Sequence, residues 1–245
     1  MNCIWILATP RSGSTYLSEL LNCSAKLTTP FAEHLSYKSG YRGDLEALAL
    51  NPPQHCKVLH VQLNRITGHA GAALSDPLFD PCQTKAPSRD TRERLERKNN
   101  FCYIRIRRNF LDSLCSYYMS AVANAEIGRS VFTLSNSEDQ KKFQHSRIKR
   151  DKKLAQRLSC VVRNYYSIWD EFVDGIYVYE VKYESLLINP SYELSRLLEG
   201  LRLEQKAHAQ IGAKLASEKS LLCSQSHPMY EETRAWISEL AGEHP

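Results

Sequence analysis

The stretch Ile4-Trp5-Ile6-Leu7-Ala8-Thr9-Pro10-Arg11-Ser12-Gly13-Ser14-Thr15-Tyr16-Leu17 decides how the rest of the chain is arranged. It opens with an apolar run that does not alternate, the pattern of a strand covered on both faces. Pro10 and Gly13 punctuate a tight turn. Tyr16, Leu17, Leu20 and Leu21 then recur at helical spacing. A strand–turn–helix corner of this kind aims backbone N–H groups and the positive end of a helix dipole at one spot, where a phosphate or sulfate can sit. Arg11 adds a planar charged donor, and Ser12, Ser14 and Thr15 add hydroxyls. Taken alone, the corner reads equally as an ordinary turn with a solvated arginine.

The corner is not a Gly-x-x-x-x-Gly-Lys-Ser/Thr loop, since it holds one glycine and an arginine stands before it. A second stretch adds weight. Phe101-Cys102-Tyr103-Ile104-Arg105-Ile106 reads as another buried strand and leads into Arg107-Arg108-Asn109-Phe110-Leu111-Asp112-Ser113-Leu114-Cys115-Ser116. Pro10–Thr15 followed by Arg108 and Ser116, with seven residues between them, resembles the sulfotransferases that use 3′-phosphoadenosine 5′-phosphosulfate (PAPS). The resemblance implies that the first loop, through Arg11, Ser12, Gly13, Ser14 and Thr15, holds the 5′-phosphosulfate. It implies that Arg108 and Ser116 hold the 3′-phosphate. Both residues follow one strand, so they can converge on one anion.

The same resemblance assigns further roles. In the branch similar to trehalose and tyrosyl-protein sulfotransferases, a glutamate past the loop arginine is the general base; here that is Glu33. A partly buried carboxylate can accept the proton that an attacking hydroxyl loses. His34 is the rival base. Lys57, within the strand reading His55–Leu63, is the candidate to stabilise charge on the leaving phosphate. Tyr183, in Tyr-Glu-x-Leu ahead of a proline-started helix, is expected near the nucleotide, with Glu184 as support. The Arg-Lys-Gly triplet of cytosolic members near the C-terminus is absent, and Lys214, Lys219 or Ser224–His227 are its candidate substitutes.

Composition bounds these readings. The 245 residues suit one large α/β domain, read as a single domain over 1–245, and 42% hydrophobic content is normal for a packed core. The net charge of +5 fits an anionic cofactor without demanding one. No run reaches membrane-spanning length, and a strand beginning at Cys3 leaves no room ahead of it for an anchor, so a cytoplasmic location is expected. The eight cysteines include no C-x-x-C pair, and Cys3, Cys102 and Cys115 fall in apolar patterns, so reduced thiols are expected. No His/Cys/Asp cluster has ligand spacing, and no metal is expected.

Further along the chain, Ser88–Lys98 reads as a charged, solvated helix. A helix from Asp112 reaches Val122, and residues 119–153 are expected to form an acceptor-side insertion or flap. Its end is basic, with Lys141, Lys142, Arg147, Lys149, Arg150, Lys152, Lys153 and Arg157 against Asp151. Such a run is commonly a solvated face, and it could also serve an anionic acceptor or a homodimer contact. Leu154, Leu158, Val161, Tyr165, Ile168, Trp169 and Phe172 form an amphipathic helical stripe whose aromatics read as core. A strand at Ile176–Val181 and helices after Asn189-Pro190 and at 229–240 follow.

The recurring strand–helix order predicts a central parallel sheet with helices on both faces. By resemblance this is a three-layer fold like that of P-loop kinases. The expected function is transfer of a sulfuryl group from PAPS to the hydroxyl of a carbohydrate or small molecule, releasing 3′-phosphoadenosine 5′-phosphate (PAP). Nucleic acid is not an expected partner. The alternatives are a P-loop nucleotide kinase, which needs a lysine after the loop glycine and a magnesium-binding aspartate, and a non-catalytic nucleotide- or nucleic-acid-binding homologue using residues 141–157.

Overall fold

The computed structural model describes residues 3–9, 11–25, 58–62, 93, 101–127, 137–203 and 224–242. Four strands form one parallel sheet: β1 (Cys3–Ala8), β2 (Val58–Gln62), β3 (Phe101–Arg107) and β4 (Val178–Lys182), in the order β2-β1-β3-β4. Ile4 lies opposite Val58 on one side and Cys102 on the other, and Tyr103 lies opposite Val178. The chain leaves β1 for β2 on one side and later returns to β3 on the other. The direction of winding therefore reverses between β1 and β3, the place where open parallel sheets bind ligands beyond their strand ends.

The described helices are α1 (Ser14–Ala25), α2 (Phe110–Ile127), α3 (Ser137–His145), α4 (Lys152–Phe172), α5 (Tyr183–Ile188), α6 (Pro190–Gly200) and α7 (Tyr230–Ala241). They pack on both faces, which explains the unbroken apolar reading of β1. Trp5 and Leu7 face α2, α4 and α7, together with Tyr103. Ile4, Ile6 and Ala8 face α1, α5 and α6, together with Ile104 and Ile106. Adjacent residues of a strand thus enter different cores. Edge-to-face rings extend the first core from Trp5 through Tyr103 and Phe172 to Trp169.

Local signals set the helix starts. The Asp151 carboxylate accepts from the Leu154 N–H at 3.0 Å and caps α4. Asn189 does the same for Tyr192 N–H, and Pro190 fills the first turn of α6, where a missing N–H costs nothing.

Three sequence expectations need adjustment. Helix α2 starts at Phe110 rather than Asp112, because the Asn109 side chain accepts from the Asp112 N–H and caps it. It then runs on to Ile127, with Met119 and Ala123 fully buried, so the expected insertion at 119 begins as a core helix. In the 137–153 part, Phe143 and Ile148 are core while Lys141, Lys142, Arg147, Lys149 and Arg150 are exposed. Tyr118 ties this stretch down by donating to the Lys149 carbonyl and accepting from the Asp151 N–H. Finally, Cys160 is disulfide-bonded, which corrects the expectation of reduced thiols throughout; Cys102 and Cys115 are free. Spacing along the chain carries no record of which distant cysteines the fold brings together. Among the described residues no helix is long and apolar enough to cross a membrane.

Candidate functional site

Two strand–loop–helix corners stand side by side because β1 and β3 are hydrogen-bonded neighbours. In the first, the Ser12 N–H donates to the Thr9 carbonyl at 3.2 Å, and the Gly13 carbonyl accepts from the Leu17 N–H at 3.1 Å, opening α1. Two residues of this turn have positive φ: Gly13 at 88° and Arg11 at 64°. Gly13 is required on two counts. Its conformation disfavours a side chain, and a Cβ there would lie 2.2 Å from the Tyr183 ring. Arg11 holds the same left-handed region without that freedom, a local strain that surrounding contacts must support.

The support comes from the second corner. One terminal guanidinium nitrogen of Arg108 donates to the Arg11 carbonyl at 2.8 Å. The Arg11 Nε in turn donates to the Ser116 hydroxyl at 3.2 Å. The Arg108 guanidinium lies 4.5 Å from the centroid of the Tyr183 ring, a cation–π distance. Tyr183 therefore lies against both corners, covering Gly13 and carrying the Arg108 guanidinium over its ring. The adjacent Glu184 accepts from the Asn109 N–H at 2.8 Å and fixes the second loop at its turn.

Among the described residues, three side-chain polar atoms of the site make no hydrogen bond. Ser12 is 0% exposed and Thr9 is 1% exposed, and neither hydroxyl makes a hydrogen bond. Arg108 is 9% exposed, and its Nε is likewise without a partner. Buried donors left unmade are costly and uncommon in native structures. These three atoms belong to the two corners, next to the N-terminus of α1, and a helix N-terminus with arginines beside it is the kind of cradle that binds oxyanions.

Residues behind the cradle hold the strand ends. Trp169 Nε1 donates to the Ala8 carbonyl at 3.0 Å. The Tyr166 hydroxyl donates to the Arg108 carbonyl at 2.6 Å and lies 3.4 Å from Ser113 Oγ. Asp170 bridges Arg105 and Arg107 of β3, and the hydrogen bond from Arg105 holds its carboxyl below the usual range. Cys115, one residue before Ser116, is no nucleophile: burial and then Asp112 push its thiol up to about 12.

Of the residues picked from sequence, Arg11, Ser12, Gly13, Arg108, Ser116 and Tyr183 share this cradle. Ser14 is buried at the start of α1. Glu33, His34, Lys57, Lys214, Lys219 and the Thr15 side chain lie outside the described residues. His227 is buried edge-on against Phe143 and accepts from the Met229 N–H just ahead of α7. Tyr166, Trp169 and Asp170 were missed as site residues; the sequence offered only their places on an amphipathic helix. Among the described residues no group of three His, Cys, Asp or Glu could hold a metal ion. No protein-family profile matches the chain, and no curated protein matches it.

Proposed function

We propose that the chain is a sulfotransferase of P-loop-kinase-like fold that moves a sulfuryl group from PAPS to an acceptor hydroxyl of a carbohydrate or small molecule. One observation carries the reading: Arg11 and Arg108 leave neighbouring strands at the point where the winding reverses, and they meet there with unpartnered buried donors. The residues fit a nucleotide with phosphates at two positions. The first corner, with the Ser12 hydroxyl, the Arg11 guanidinium and the start of α1, would take the 5′-phosphosulfate. Arg108 and Ser116 would take the 3′-phosphate, and Tyr183 would lie against the nucleotide. The activated donor supplies the sulfuryl group and a phosphate leaving group. This chain's part is to align the two ends and to spread the developing negative charge over fixed donors. Glu33 is assigned the acceptor proton and Lys57 the charge on the leaving oxygen.

The test is calorimetry with PAP, followed by an acceptor screen with labelled PAPS. Binding of PAP and label transfer to a hydroxyl compound are the expected results. A folded protein that binds no PAP, or that turns over ATP with magnesium instead, would overturn the reading. Glu33→Gln should lower turnover by about 100-fold or more with PAP binding intact, as removal of a general base does. Full turnover in that variant would remove Glu33 from its role.

A further inference from the structure

We propose that Tyr166 and Trp169 are positioning residues that set the spacing between the two anion corners, an inference that rests on the nucleotide reading above. Residues three apart on a helix share a face. From that face of α4, Trp169 grips the last residue of β1 at the Ala8 carbonyl, 3.0 Å away. Tyr166 grips the first residue past β3 at the Arg108 carbonyl, 2.6 Å away. Each aromatic thus ties one strand end at the residue from which, or next to which, a corner departs. Asp170, on the next position, fixes the same helix to β3 through Arg105 and Arg107, and Arg105 also reaches back to the Tyr166 carbonyl at 3.4 Å.

These contacts make α4 a rigid gauge laid across both strand ends. Trp169 is 1% exposed and packed against Phe172, so its indole has little freedom to follow a shifting loop. Tyr166 holds the strand end of the second corner and Trp169 that of the first, so loss of either bond shifts one corner against the other while each keeps its own internal geometry. A ligand that bridges both corners senses this spacing. A ligand held by one corner does not.

The prediction is a change in selectivity rather than a general loss. Tyr166→Phe removes one hydroxyl without opening a cavity, and the strained spacing should weaken PAP by about fivefold, the typical worth of one hydrogen bond. Adenosine 5′-phosphate, which needs only the first corner, should change by less than about twofold on the same scale. A second variant places 3-benzothienylalanine at position 169, keeping the ring shape of Trp169 and deleting its N–H donor; it should shift the ratio in the same direction. Both are read by calorimetry on the full chain. If PAP and adenosine 5′-phosphate weaken equally in both variants, or neither weakens, the residues are ordinary core and the inference is overturned. If the unaltered protein binds neither nucleotide, the nucleotide reading itself falls and takes this inference with it. Binding by the unaltered protein with an unchanged ratio in the variants removes the inference alone.

Discussion

The two corners use different means to the same end. The first takes its polar groups from one short stretch: a glycine that alone fits under Tyr183, an arginine at positive φ, and hydroxyls buried within a few positions of one another. The second is an arginine at a strand end whose setting is assembled from far along the chain. Its guanidinium lies on Tyr183, its carbonyl is held by Tyr166, and the next N–H is held by Glu184. A cradle made locally can be read from a short motif. A cradle made from distant parts shows in sequence only as two residues at a spacing.

The largest test of this contrast is Gly13→Ala. The positive φ and the overlap with Tyr183 together should cost about 3 kcal/mol, from backbone strain plus overpacking. Differential scanning calorimetry should show a fall in Tm of roughly 6–12 °C for a chain of this size. Adding Tyr183→Ala should recover part of the loss, because the two changes share one contact. A loss that Tyr183→Ala leaves untouched would mean that the ring is not what excludes the side chain.

Asp170→Asn tests the supports of the second corner. It leaves the buried Arg105 guanidinium without its charged partner, and about 1.5–3 kcal/mol of stability should go with that hydrogen bond. The partner carboxyl is itself half exposed, so solvent screening favours the lower end. The folded carboxyl titrates below the ordinary value of 3.8. Its stabilisation is therefore present above that value and is lost as pH falls through the lowered one. Acid titration followed by circular dichroism should show this loss in the unaltered protein and not in Asp170→Asn.

Arg11→Gly separates strain from binding. Glycine accepts positive φ, and the relief of about 1 kcal/mol should roughly offset the lost bond to Ser116. Tm should stay within a few degrees while PAP binding drops by about tenfold or more, the worth of a charge-assisted contact. Unchanged binding would show that Arg11 serves only the turn.

The smallest effect belongs to His227, packed against Phe143 ahead of α7. Burial holds its imidazole below the ordinary value of 6.5. The neutral form is thus favoured in the fold, and stability should be steady above 6.5 and decline as pH falls through that value toward the lowered one. His227→Asn, which keeps an acceptor for the Met229 N–H, should flatten this slope by a Tm difference of a few degrees at most.

The same contrast explains what sequence could and could not tell. The non-alternating run Ile4–Ala8 announced a strand covered on both faces, and the stripe Leu158, Val161, Tyr165, Ile168 and Trp169 announced α4, because burial leaves a periodic mark. The sheet order left no such mark, and it is the order that sets Arg108 beside Arg11. The parts played by Tyr166 and Trp169 were hidden for a related reason. An aromatic residue on an apolar stripe reads as core whether or not its polar tip holds a strand end. Nothing along the chain marks Asp170 as the partner of Arg105 on β3, or Cys160 as bonded.

Phosphorus NMR of PAP during titration with the protein asks most directly whether two corners grip one nucleotide. The 3′- and 5′-phosphate resonances should both move with the same midpoint, and in Arg108→Ala the 3′ shift should collapse while the 5′ shift persists at weaker affinity. A 3′-phosphate resonance that stays at its free position as the unaltered protein binds the nucleotide would contradict a two-corner grip.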